Sequence, residues 1–215
     1  MSVTSSNLFQ AYAVAMRAHT LRLIAEGYAR MDKARFGVEQ EPAITGALVE
    51  RMRAYAEEDT HAPSWCAYYS IHDDPPLNVG RKLGKSRPRV DIEFERVARG
   101  KRPRLRFEAK RLDSATGHSV SAYLGNDGLG CFLSGKYPTT HAEAGMLGYV
   151  QSDDENMWAG KISDSLSRDR KVYAVEDPPF CRQTPSIGVP HTYVSHHHTT
   201  HAPHTTVYHV LLRFG

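Results

Sequence analysis

The stretch VDIEFERVARGKRPRLRFEAKRL, residues 90–112, sets Asp91 some way ahead of a Glu108-Ala109-Lys110 triplet, with alternating apolar and charged residues around both. Side chains alternate between faces along a strand. Val90, Ile92 and Phe94 would then share an apolar face with Leu105, Phe107 and Ala109, leaving Asp91, Glu108 and Lys110 together on the other. Opposed carboxylates are costly unless they share a proton or a cation. Such an oxygen-rich site suits Mg²⁺, which takes one or two carboxylates, keeps waters and completes its shell with substrate phosphate. A lysine two residues beyond the second carboxylate could hold a water or polarise a phosphate, which is the composition of a metal-dependent phosphodiesterase site. A charged, solvated hairpin and other metal–phosphate chemistry are the competing readings.

The elements that must position these residues are legible in part. Two strands joined by a basic turn fit a register that sets Glu93 opposite Arg106 and Glu95 opposite Arg104, two favourable cross-strand pairs. Residues 98–101 would close the turn, and Asp91 would face Glu108. A slip by two residues would set Glu93 against Glu108. Ahead of the hairpin, residues 8–31 place Leu8, Tyr12, Leu23, Ile24, Tyr28 and Met31 at helical spacing. A second helix begins at EPAITGALVERMRAYAEE, with Pro42 in its first turn and a stripe of Ile44, Leu48, Met52 and Tyr55. SWCAYYSIHDD (64–74) reads as a strand. SAYLGNDGLGCFLSGKYP reads as a glycine-interrupted loop with a short helix, AGMLGYVQ as a buried strand, and DDENMWAGKISDSLSRD as a helix. Residues 176–190 form a Pro-rich loop and TTVYHVLLRF (205–214) a final strand. The order of elements predicts one α/β domain, a mixed central sheet flanked by helices.

Asp91 followed by Glu108-Ala109-Lys110 at the end of an alternating strand resembles the PD-(D/E)xK nuclease superfamily, the restriction-endonuclease-like fold. Val90 stands where that pattern has proline. The resemblance covers residues 39–150, with 1–38 an added N-terminal helix and 151–215 a C-terminal helix, loop and strand. It implies a metal-dependent nuclease that hydrolyses phosphodiester bonds, of DNA rather than RNA, with restriction or anti-phage defence as the setting. Asp91, Glu108 and the Ala109 carbonyl would bind Mg²⁺, with Mn²⁺ able to substitute. Lys110 would orient or activate the attacking water. Glu41, at the start of the second helix, matches the acidic residue that the superfamily often adds to support the metal. A catalytically silent nucleic-acid-binding or assembly subunit with the same fold is the alternative.

The chain of 215 residues is 40% hydrophobic and 24% charged, a soluble globular composition, with a net charge of only +3. The basic residues are unevenly placed: Lys and Arg heavily outnumber Asp and Glu between Arg81 and Arg111. The loop GRKLGKSRPR offers Arg81, Lys82, Lys85 and Arg87 to a nucleic-acid backbone. Backbone contacts carry no sequence information, and no separate base-reading module is evident, so targeting would fall to a homodimer or a partner protein. The expected partner is double-stranded DNA, with no membrane. No stretch reaches the ~20 apolar residues of a membrane span, and no signal peptide is evident. Three scattered cysteines, Cys66, Cys131 and Cys181, fit packing in a reducing, cytoplasmic compartment.

His191, His196, His197, His198, His201 and His204 crowd one short segment. Zinc binding is chemically open to them. With no Cys or acidic residue beside them, the segment reads instead as a polar loop or strand edge, with Ser195, His196 and His198 expected on one face. Lys136 and Tyr137 read as a surface turn, with backbone contact as the alternative, and the preceding glycines lack the pattern of a phosphate loop.

Overall fold

The computed structural model describes residues 5–97, 102–183, 189, 191–201 and 204–215, with side chains from residue 11 onward. The 98–101 turn lies outside them, as do parts of the 176–190 loop. Seven strands form one mixed sheet in the order β1-β2-β3-β4-β7-β6-β5. In chain order these are β1 (Tyr69–Asp73), β2 (Ile92–Arg96), β3 (Arg104–Leu112), β4 (Glu143–Val150), β5 (Cys181–Arg182), β6 (Thr192–His197) and β7 (Thr205–Arg213). The centre, β3-β4-β7, is parallel, while β1-β2-β3 and β7-β6-β5 pair antiparallel. The sheet thus has the expected α/β, mixed, helix-flanked character. Residues 151–215 contribute three of its strands, including a central one.

Helices α1 (Ser5–Ala29) and α3 (Glu41–Glu58) cover one face, with the short α2 (Lys33–Phe36) between them. Leu23 and Ile24 of α1 and Ile44, Leu48 and Met52 of α3 pack with Ile92, Phe94, Phe107, Leu147, Tyr149, Val210 and Phe214. These residues recur every three or four positions along α3, so one apolar stripe meets the sheet. Tyr12, placed by its spacing in the stripe of α1, is instead exposed, with the Arg96 guanidinium 4.6 Å from its ring centre. The other face is covered by α4 (Val120–Leu124), α5 (Gly130–Leu133) and α6 (Glu155–Arg168), followed by α7 (Arg170–Tyr173). There Tyr123, Phe132, Trp158, Ile162 and Leu166 pack on Leu112, Met146, Val150, Val207 and Leu211. Helix α6 starts where its Asp154 cap accepts from the Met157 N–H at 2.8 Å. Gly145 is required on β4, because a Cβ there would meet the Phe107 ring at 2.1 Å.

Covering both faces corrects several expectations. The charged face of the hairpin is buried: Glu93, Glu95, Arg106 and Glu108 are all inside. Val90 precedes β2 and packs in the second cluster, away from Ile92 and Phe94, because the chain bends at Asp91 and strand alternation stops there. Residues 64–68 form a 3-10 turn that begins after Pro63 and seats Cys66 against α1 and α3; only Tyr69–Asp73 is strand. Tyr137 is buried, its hydroxyl donating to the Arg89 carbonyl, so it is neither a surface turn nor a backbone contact. Cys66 and Cys131 are buried free thiols and Cys181 is half-buried. Among the described residues, no helix is long and apolar enough to cross a membrane.

Candidate active site

The register of the β2–β3 hairpin is the one its charges favour, with Glu93 opposite Arg106 and Glu95 opposite Arg104. The Arg106 Nε donates to Glu93 at 2.6 Å. Arg102 and Arg104 hold Glu95, each with a nitrogen 2.6 Å from a carboxylate oxygen. These carboxylates are matched by cations, which leaves Asp91 and Glu108 as the pair that no arginine serves.

Asp91 sits in the bend ahead of β2, where its Oδ2 accepts from the Ala109 N–H at 2.6 Å. That bond crosses from the loop to β3 and fixes the carboxylate beside the Glu108-Ala109-Lys110 backbone. The Lys110 ammonium then gathers the remaining groups. It donates to Glu108 Oε1 at 2.8 Å, to the Ala109 carbonyl at 2.7 Å and to Glu41 Oε1 at 3.0 Å. Glu41 stands in the first turn of α3, and the helix places it over the end of β3. Glu41 and Asp91, both distant in the chain from Glu108 and Lys110, are thus brought to the Glu108-Ala109-Lys110 segment of β3.

The electrostatics are strained. Burial, and then the neighbouring Asp91 charge, push Glu108 up to about 8 despite the pull of Lys110. Burial likewise raises Asp91 to about 6, opposed by the Ala109 N–H and by Lys110. Lys110 is driven the other way: the carboxylates around it outweigh its burial and hold it charged, above its ordinary value. The second oxygen of Glu108, Oε2, is buried and has no hydrogen-bond partner. An orphaned buried carboxylate oxygen is costly unless something completes it.

That orphan, the Asp91 carboxylate and the Ala109 carbonyl are all oxygen donors, the chemistry a hard divalent cation takes. The donor set therefore fits Mg²⁺ or Mn²⁺. It is nevertheless not a tight cage. Among the described residues, two sets bring three ligand atoms within 4.8 Å of one another: His72 with Glu93 and Glu95, and Glu176 with His198 and His204. Asp91, Glu108 and Glu41 do not form such a set, and the Lys110 ammonium lies between Glu108 and Glu41. His72, Glu93 and Glu95 are a poor cation site, because Arg102, Arg104 and Arg106 already neutralise the carboxylates.

Of the basic loop, Arg81, Lys82 and Lys85 are exposed, whereas Arg87 is half-buried and donates to Asn78 at 2.9 Å. Arg89, not singled out from sequence, pairs with Asp74 at 2.6 Å and anchors the end of the loop.

The histidine segment departs most from expectation. His196 and His198 point outward while Ser195 and His197 point in, so Ser195 does not share their face. Ser195 Oγ lies 2.7 Å from His197 Nε2 and 2.8 Å from His209 Nε2. His209 Nδ1 lies 3.0 Å from the Tyr123 hydroxyl, and His197 Nδ1 2.9 Å from the Tyr173 carbonyl. The terminal carbonyl can only accept, so His197 carries its proton on Nδ1. Ser195 must then donate to His197 Nε2, His209 to Ser195, and Tyr123 to His209. One direction satisfies every group. His209 was not legible as part of this chain, since its partners come from α4 and β6.

No family model matches the chain, and neither a curated protein nor a solved structure matches it.

Proposed function

We propose that this protein is a metal-dependent nuclease acting on DNA, with Asp91, Glu108, the Ala109 carbonyl and Lys110 as its site. The observation that carries the reading is the buried, unpartnered Glu108 Oε2 beside a second carboxylate and a lysine. Carboxylates perturbed by burial and by a specific charge partner are a physical mark of a functional site. When bound, Mg²⁺ supplies Lewis acidity and neutralises charge on the scissile phosphate. Asp91, oriented by the Ala109 N–H, and Glu108 would hold it. Lys110 presents a fixed ammonium to the charge that develops on phosphoryl oxygens, a form of electrostatic preorganisation. Glu41 keeps that ammonium aimed between β3 and α3. The exposed Arg81, Lys82 and Lys85, in the loop that leads to Asp91, would offer contacts to the phosphate backbone.

One observation favours the second reading, a silent nucleic-acid-binding subunit. Lys110 already satisfies one oxygen each of Glu41 and Glu108, and the three carboxylates are not drawn into a compact set. Incubation of purified protein with supercoiled plasmid in Mg²⁺, Mn²⁺ or EDTA separates the two. Cleavage that requires the cation and disappears in Lys110→Ala supports the nuclease. DNA binding without cleavage in either metal supports the silent subunit.

A further inference from the structure

The ladder of the C-terminal strands brings together a carboxylate and two imidazoles that are distant in sequence. Strands β6 and β7 pair with His197 opposite Thr205. One step further, the same register sets His198 opposite His204, and their rings lie 4.6 Å apart at 78°. On the other side of β6, Val175 bridges to His197, with Glu176 N–H donating to His196 and His198 N–H to Ala174, both at 2.8 Å. Alternation then buries Val175 and His197 and turns Glu176 and His198 outward together. His204 Nδ1 lies 3.7 Å from Glu176 Oε1, and one ligand atom from each of the three residues falls within 4.8 Å of the others.

We propose that Glu176, His198 and His204 form a binding site for a divalent transition metal of the zinc class. Two imidazoles and one carboxylate suit zinc, which binds such donors tetrahedrally and leaves a fourth position for water. The same donors are a poor match for Mg²⁺, which prefers oxygen alone. The setting differs from that of His72, Glu93 and Glu95, whose carboxylates are committed to arginines. Among the described residues Glu176 has no lysine or arginine ion pair, and the His204 imidazole lies 3.7 Å from its carboxylate. The three side chains are exposed, so bringing the ion to them needs no burial of charge. The bound ion ties the β6–β7 turn to the segment after α7. Thr199, just after β6, already donates to the Leu133 carbonyl of α5 at 3.0 Å.

The test is titration of chelator-stripped full-length protein with Zn²⁺ by calorimetry, and with Co²⁺ by visible absorption. One equivalent should bind, with a tetrahedral cobalt spectrum, and millimolar Mg²⁺ should not compete. His198→Ala and His204→Ala should each weaken binding at least about ten-fold, and Glu176→Gln should weaken it too. His196→Ala, an exposed neighbour that hydrogen-bonds Thr206 at 3.1 Å, should leave it unchanged. Asp91→Ala should also leave it unchanged, which separates this site from the candidate Mg²⁺ site. Circular dichroism verifies folding, and Glu176→Gln decides the matter if either histidine variant is misfolded. Absence of saturable binding would overturn the proposal. So would equal loss in His196→Ala, or full affinity in Glu176→Gln together with either histidine variant.

Discussion

The two halves of the sheet bury polar groups in opposite ways. Around β2 and β3 the inside is ionic: arginines satisfy Glu93 and Glu95, while Asp91 and Glu108 are crowded and one oxygen is left orphaned. Between β6 and β7 the buried Tyr123–His209–Ser195–His197 chain is neutral and pairs every donor with an acceptor. A satisfied network specifies one arrangement and stabilises it. An unsatisfied one persists when something else is to bind there. On the proposed reading, the difference separates residues that serve the structure from residues that serve chemistry, though both groups are buried and polar.

Replacing the unsatisfied set should therefore affect activity more than folding. Asp91→Ala, Glu108→Ala and Lys110→Ala should each lower plasmid cleavage by about a thousand-fold or more, on the order of 4 kcal/mol of transition-state stabilisation. Asp91→Ala leaves the Ala109 N–H, and Lys110→Ala the Glu108 Oε1, without a partner, so these two should lose about 1–3 kcal/mol of stability, less than the loss in cleavage read per folded molecule. A Lys110→Ala protein that cleaves normally would break the comparison at its first step.

The satisfied set should behave in reverse. Ser195→Ala leaves His197 Nε2 without a donor and His209 Nε2–H without an acceptor. At about 1–3 kcal/mol for each buried group left unpaired, the expected loss is about 2–6 kcal/mol. Urea denaturation measures it, and cleavage per folded molecule should be unchanged. Stability equal to wild type would mean that the chain does not act as a unit.

The pH dependence should also differ in sign. Glu108, raised from 4.5 to about 8, keeps a proton in the folded protein that the unfolded chain has released. Stability therefore falls as pH rises through that window. His197, lowered from 6.5 to about 4, and His209, lowered to about 3, stay neutral when folded while the unfolded chain protonates. Stability then falls as pH drops below 6.5 toward 4. In EDTA, Glu108→Gln should raise stability at pH 8 by about 1–2 kcal/mol, or roughly 2–8 °C in melting temperature, and leave the acid limb unchanged. A lower melting temperature for this variant at pH 8 would show that the Lys110 pair outweighs the burial of the carboxylate.

The smallest expected effect is at the helix. Glu41→Ala should reduce cleavage by about three- to ten-fold, near 1 kcal/mol, by loosening Lys110. Partial rescue by Mn²⁺ would indicate that Glu41 also serves the metal. Cleavage equal to wild type would make Glu41 an ordinary helix-start carboxylate.

Much of the hairpin was legible because charge and alternation point to the same register, and slipping it would set like charges together. Glu41 could be matched because α3 begins where its Pro42 predicts. Val90 was assigned to the wrong face, since alternation says nothing about a bend before a strand. The burial of Glu93 and Glu95 was also hidden, because charge pattern alone does not tell a solvated face from one covered by arginines and loops. Strand β6 was masked by its histidines, which read as polar but alternate between solvent and core. His209 reaches Ser195 from β7, and Glu176 meets His198 and His204 only through the β6–β7 ladder and the Val175–His197 bridge.

The place of β7 in the sheet has a consequence for how the protein is made. It lies between β4 and β6 and gives Val210, Leu212 and Phe214 to one layer and Val207 and Leu211 to the other. Until Thr205–Arg213 leaves the ribosome, β4 and β6 each have an open edge with nothing to pair. Non-local parallel pairing of this kind closes slowly, and open edges invite association between nascent chains. The hairpin that carries Asp91 and Glu108 can form early from neighbouring residues, but its support waits for a strand synthesised much later.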